Sequence, residues 1–204
     1  MGERTHPMTT DSLYLEAIEQ FQQWLDDARG STLEEPTAMT LATADLQGKP
    51  AARVVLLRNV DPRGFVFYTN SLSDKGRQLA ENPRAALCFY WDPLGRQVRV
   101  EGRVEPFDDA ELDEYWSLRP RENRLSAWAS LQSETLNDRA TLERRFAEFD
   151  AEYADQEVPR PPHWHGYRVI PDRIEFWTRR DARMHERVVY EAHPDGWTAR
   201  MLYP

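Results

Sequence analysis

The stretch Arg84–Gly102, RAALCFYWDPLGRQVRVEG, decides the fold. Residues 84–91 and the run 96–105 that begins here are strand-like, and Asp92-Pro-Leu-Gly95 stands between them. Proline presets the backbone at the second position of a turn and glycine closes it, so the two runs form a hairpin. Asp61-Pro-Arg-Gly64 repeats the device between runs 51–59 and 65–70. Further β-rich runs cover 38–44, 167–178, 182–190 and 197–203. Helical spacing occurs at 12–29, where Leu15, Ile18, Phe21, Trp24 and Leu25 make one apolar face. The pattern predicts a short helix at 73–81, capped by Ser73 and stopped before Pro83. Another follows Asp108 and Asp109 to about Leu118, and a third covers 138–153 with Leu142, Phe146, Phe149 and Tyr153 inward. Pro159, Pro161 and Pro162 make a stiff loop. Consecutive antiparallel hairpins with peripheral helices predict a mainly β, α+β fold built on a β-barrel core.

The 204 residues suffice for one domain with a substantial core, preceded by an N-terminal segment and helix over residues 1–30. Charged residues make up 30% and mean hydropathy is −0.76, which marks a soluble chain. No stretch approaches the ~20 apolar residues of a membrane span, and no signal pattern opens the chain, so the cytoplasm is the expected address. A net charge of −9 and a pI near 5.1 argue against nucleic acid as a partner. The single cysteine, Cys88, excludes an internal disulfide and reads as a buried core thiol. No glycine-rich dinucleotide or P-loop fingerprint occurs, nor a G-x-S-x-G elbow. His185-Glu186 begins a zinc-like motif that Val189 breaks, and His163 and His165 lack a third ligand, so no metal site is read.

What remains is a scatter of anion-binding elements. Arg183, His185 and Arg187 lie at i, i+2 and i+4, which in a strand puts two guanidiniums and an imidazole on one face. A solvated face paired with acidic neighbours is the competing explanation. Arg53 and Arg58 end a strand run at an offset of five, so a regular strand would point them to opposite faces and different groups. After Tyr68-Thr69-Asn70, Ser71, Ser73 and Lys75 open a helix whose free N–H groups suit a phosphate. Gln97, the pair Tyr115 and Arg119 before Pro120, and Gln132-Ser133 add polar groups. Together these elements have the means to hold two phosphates.

From about Pro36 to Pro204 the ordered series of motifs resembles the pyridoxamine 5'-phosphate oxidase family. The series comprises Pro36-Thr-Ala-Met39, Arg53-Val-Val-Leu-Leu-Arg58, Gly64-Phe-Val-Phe-Tyr-Thr-Asn70, Arg96-Gln-Val-Arg-Val-Glu-Gly102 and Ser117-Leu-Arg-Pro-Arg121. It continues through Ala127-Trp-Ala-Ser-Leu-Gln-Ser133, Ile174-Glu-Phe-Trp177, Arg183-Met-His185-Glu-Arg187 and Met201-Leu-Tyr-Pro204. The resemblance implies an antiparallel, FMN-binding split β-barrel that forms a homodimer with FMN at the subunit interface. It implies oxidation of pyridoxine or pyridoxamine 5'-phosphate at C4' to pyridoxal 5'-phosphate, with O2 as acceptor, giving hydrogen peroxide and, from the amine, ammonia. FMN would be held by Arg53, Val54, Val55, Leu56, Leu57, Arg58, Tyr68, Thr69, Lys75, Gln97, Gln132, Ser133, Trp177 and Arg187. Arg58, Tyr115, Arg119 and Asn123 would meet the phosphate of the pyridine substrate, with Arg183 and His185 over its ring as the catalytic pair. His185 would either accept a proton or act as a hydrogen-bonded positioner.

Several positions depart from the family pattern. Arg58 stands where lysine is usual, Asp74 where a basic residue is usual, Asn123 for serine and His165 for glycine. Asp74 implies a lost phosphate contact and weaker cofactor binding. The basic, tyrosine-containing lid of longer relatives is missing from the N-terminal stretch. Two alternatives stand beside the main reading: a phenazine-pathway type of split-barrel FMN oxidase, and a non-catalytic flavin or pyridoxal phosphate carrier.

Overall fold

The computed structural model describes residues 12–107 and 109–204, with nothing described of the Asp109 side chain. The predicted start of one helix at Asp108, like residues 1–11, lies outside the described residues. In chain order the elements are α1 (Ser12–Arg29), β1 (Ala38–Ala44), β2 (Pro50–Leu56), β3 (Asn59–Asp61), β4 (Gly64–Asn70), α2 (Asp74–Glu81) and β5 (Arg84–Trp91). They continue with β6 (Arg96–Pro106), α3 (Asp109–Ser117), α4 (Arg121–Ala129), α5 (Arg139–Glu152), β7 (Trp164–Thr178), β8 (Glu186–His193) and β9 (Gly196–Leu202). The strands form one antiparallel sheet in the order β2-β1-β5-β6-β7-β4-β3, and β8 and β9 extend it from β7.

β7 organises the sheet. β6 pairs along one side of it, from Arg96 opposite Thr178 to Pro106 opposite Tyr167. The other side is shared: Trp164–Val169 pair with β4, and Arg173–Thr178 pair with β8. The barrel therefore splits halfway along this strand. A β-bulge between Glu101 and Gly102 lies at the same level. A Cβ on Gly102 would stand 2.1 Å from the Ile170 carbonyl oxygen, so only glycine keeps the strands paired through the bend.

One face of the sheet carries the core, including Leu41, Phe65, Phe67, Leu87, Phe89, Val98, Val100 and Ile174, all buried. The apolar stripe of α1 closes over it. Phe21 meets Phe65 and Phe89 edge-on, at 4.8 Å and 4.9 Å between ring centroids. A second cluster of Leu112, Trp116, Leu125, Tyr153, Val158 and Trp164 packs α3 and α4 against the start of β7. Phe146 and Phe149 of α5 lean on it, as its predicted inner face requires.

Four expectations change. The run 51–59 is two strands, because Leu57 turns into the core and bonds Thr37 O, whereas Arg58 N–H passes to Val66 O of β4. An unpredicted helix follows Pro120: α3 stops at Ser117, close to its expected end, and the fixed φ of Pro120 leads into α4. Cys88 is half-buried, not in the core, since it shares its face with Thr40 and Arg99 across the strands. Lastly, the expected strand at 182–190 starts only at Glu186. Asp181–Arg183 form a single helical turn in which Ala182 and Arg183 take φ of 52° and 60°. Arg183, His185 and Arg187 thus do not share a strand face.

Gly102→Ala should lower the unfolding free energy in urea by about 1–3 kcal/mol at fixed protein concentration. An unchanged midpoint would contradict the role given to the bulge.

Candidate active site

A cleft of about 480 Å³ opens beside β2, at the point where β4 ends and α2 begins, and α4 forms its far wall. It brings together Arg53, Val54, Val55, Leu56, Arg58, Tyr68, Thr69, Lys75, Arg119, Asn123 and Gln132 from the expected set. Because the strand breaks after Leu56, Arg53 and Arg58 open on the same cleft despite their odd spacing.

Two cations of this cleft, Arg53 and Lys75, are held by neutral groups. Arg53 donates to Thr43 Oγ1 at 2.5 Å, and to Leu41 O and Gln78 Oε1 at 3.3 Å. Lys75 is 9% exposed and donates to Gln132 Oε1 at 2.9 Å and Ser73 Oγ at 3.2 Å. Burial, and then the charge of Arg53, hold the Lys75 pKa below its ordinary 10.5, with Asp74 pulling the other way. Gln132 also accepts from Thr69 Oγ1 at 3.1 Å, which ties the loop after α4 to β4. Ser73 caps α2 by accepting from Gly76 N–H, so the helix start faces the same space.

At the other end, the Arg119 guanidinium lies 5.0 Å from the ring centroids of both Trp116 and Trp164. Its Nη1 is buried with no hydrogen-bond partner among the described residues. Burial is the main cause lowering the Arg119 pKa; Tyr115 opposes it, while Arg58 and Arg124 add to it. Trp164 stacks on Tyr68 at 4.8 Å, and Tyr68 on Tyr115 at 4.1 Å. Tyr115 therefore stands behind the cleft wall rather than in it. Burial is the first cause pushing the Tyr68 hydroxyl up to about 12, so it acts as a hydrogen-bonding group and not as an anion.

The other expected residues lie elsewhere. Leu57 is a core side chain. Ser133, at φ 75°, accepts the Asp74 N–H through Oγ at 3.1 Å and so braces the start of α2. Gln97, Trp177 and Arg187 are direct cross-strand neighbours and form a row over β6, β7 and β8. Arg187 gives both Nε and Nη2 to Glu175 Oε1 at 2.9 Å, and Nη1 to Tyr203 O at 3.1 Å. The His185 ring lies 4.6 Å from that of Trp177 and so joins the row, with Arg183 on the turn before it. None of these five residues lines the cleft of its own chain.

Ser126, Ser130, His163 and Trp164 also line the cleft and were not anticipated as site residues. Asn123, Ser126 and Ala127 recur at helical spacing on one face of α4, and Ser130, the residue that ends the helix, continues that face. That signal is readable once a helix is placed after Pro120.

Residues 25–153 match the pyridoxamine 5'-phosphate oxidase family, and residues 164–204 match the pyridoxine 5'-phosphate oxidase C-terminal dimerisation region. A pyridoxine/pyridoxamine 5'-phosphate oxidase from Myxococcus xanthus (strain DK1622) is 54% identical over 187 residues, covering 92% of this chain and 91% of that protein. Among solved structures, PhzG from Burkholderia lata 383, in complex with tetrahydrophenazine-1-carboxylic acid, gives a TM-score of 0.87 at 36% identity over 92% of each chain. A pyridoxamine 5'-phosphate oxidase-related, FMN binding protein from Nostoc punctiforme PCC 73102 has the same fold, with a TM-score of 0.71. Its identity is 18%, over 91% of this chain and 96% of that one. With the split barrel and the cationic cleft in place, these matches show that the chain belongs to the pyridoxamine 5'-phosphate oxidase family.

Proposed function

We propose that this protein oxidises pyridoxine or pyridoxamine 5'-phosphate to pyridoxal 5'-phosphate, as a homodimer with FMN between its subunits. The observation that carries the reading is the cleft with cations at both ends, held by neutral partners. Such an array is costly without an anion and suits two phosphate groups. The donor set fits FMN: Arg53, Lys75 and the capped start of α2 suit its phosphate, with Thr69, Gln132 and Ser133 around them. Arg58, Arg119 and Asn123 would take the substrate phosphate, with Tyr115 stacked behind them on Tyr68 as a brace of the wall. Gln97, Trp177 and Arg187, supplied by the second subunit, would complete the flavin site, with Arg183 and His185 over the substrate. The dimerisation region matched by residues 164–204 supports this division.

Bound FMN would supply the two-electron oxidation, with O2 as its acceptor and hydrogen peroxide as product. The chain's own part is placement. Arg58 and Arg119 anchor the phosphate, which leaves the pyridine ring one way to lie. Trp164 and Trp116 hold the planar Arg119 guanidinium in place and shield it from water, which strengthens its hold on a dianion. The match to PhzG keeps a phenazine-type substrate as the second reading. The higher identity to the B6 oxidases supports the phosphorylated pyridine.

The purified protein should show a flavin spectrum and, in air, turn over pyridoxine 5'-phosphate with peroxide and aldehyde in equal amounts. Flavin without turnover would support a carrier, and a colourless protein would overturn the flavin reading. Arg119→Met should raise KM for the phosphorylated substrate on the order of 100-fold, with a smaller change in kcat. An effect confined to kcat would remove Arg119 from phosphate binding. The lowered Lys75 pKa sets the direction of the pH response. FMN requires the charged amine, so its affinity should fall as pH rises through that titration, before an ordinary lysine would respond. Titration calorimetry on Lys75→Met should give weaker FMN binding that lacks this limb.

A further inference from the structure

The loop 180–186 between β7 and β8 is tied at both ends by one residue. The Arg180 guanidinium grips Glu186 with both carboxylate oxygens, Nε to Oε1 at 3.0 Å and Nη2 to Oε2 at 2.8 Å. Its backbone N–H donates to His185 Nδ1 at 3.1 Å. Between these ties Met184 N–H closes onto Asp181 O at 3.0 Å. Ala182 and Arg183 are left in the left-handed region, at φ 52° and 60°, a conformation that persists only where the surroundings impose it.

The bond to His185 has a chemical consequence. A backbone amide can only donate, so Nδ1 must offer its lone pair and carry no proton. The neutral ring therefore carries its proton on Nε2. Among the described residues no group bonds Nε2, and Trp177 packs against the ring at 4.6 Å. We propose that Arg180 is a positioning residue that fixes His185 as a hydrogen-bond donor through Nε2, aimed at an acceptor on the substrate ring. A general base would need a vacant nitrogen. Nε2 is already protonated, and Nδ1 is free only if the Arg180 bond breaks and the loop reorganises. The assignment rests on the functional reading for its substrate, but the tautomer itself does not.

The test is long-range proton–nitrogen correlation NMR on the ligand-free protein, labelled with ¹⁵N-histidine, near neutral pH. The expected His185 signature is pyrrole-type Nε2 and pyridine-type Nδ1. A proton on Nδ1, or a fully protonated ring, would overturn the proposal. Arg180→Ala keeps the amide but frees the loop, and should turn the single signature into a tautomer mixture. An unchanged signature there would remove Arg180 as the positioning group. A second pair of variants tests the consequence for turnover. Glutamine can place an amide N–H where Nε2 stands, whereas asparagine reaches only to the place of Nδ1. His185→Gln should lose less than about tenfold in kcat, and His185→Asn about 100-fold or more. An equal loss in both, on the order of 10²–10⁴ as for a removed base, would contradict the donor role. The tautomer is read without flavin or substrate, so a failed oxidase assay would count against the functional reading and leave this result standing.

Discussion

The arrangement of this protein depends on a set of positive charges kept free of carboxylates. Acidic residues outnumber Lys and Arg by 35 to 26, so an unmatched cation is the exception. Elsewhere the arginines find acids: Arg99, Arg173 and Arg187 converge on Glu175, which is 2% exposed. In the cleft, Arg53 and Lys75 settle for hydroxyls, carbonyls and amides, and Arg119 for two indole faces. Desolvated cations without counter-ions raise the energy of the ligand-free state. An incoming phosphate relieves that penalty, which is how the fold makes anion binding specific to this place.

The same sheet also explains why one chain carries only part of the array. β7 gives its first half to β4, beside the cleft, and its second half to β8, which carries Arg187. The bulge at Gly102 lets the barrel split between these halves. Gln97, Trp177, His185 and Arg187 therefore gather on a surface that their own cleft does not reach. Three of the four fall within residues 164–204, the region matched to dimerisation. In the proposed dimer the surface of one subunit completes the cleft of the other.

Much of this was legible in the residues. The turns at Asp61–Gly64 and Asp92–Gly95, the stripe of α1 and the Ser73 cap are local signals, and local signals determine local structure. What escaped depends on longer-range balance. The face shared by Arg183, His185 and Arg187 assumed a strand, and the Arg180–Glu186 tie replaces it with a turn. The parity of Arg53 and Arg58 assumed one unbroken strand, and Leu57 breaks it by entering the core. α4 was missed because Pro120 reads equally well as a stop or a start. The polar lining of the cleft by Ser126 and Ser130 was lost with it.

The central claim, that each site needs two chains, is tested most directly by mixing two inactive variants. Lys75→Met damages the cleft and Arg183→Ala damages the opposing surface, so a subunit with either change spoils every site to which it contributes that half. After co-refolding, each mixed dimer should hold one site with both halves intact. Activity should recover to about a quarter of the wild-type value for random pairing. No recovery, with mixed dimers shown to be present, would place the whole site within one chain and contradict the account.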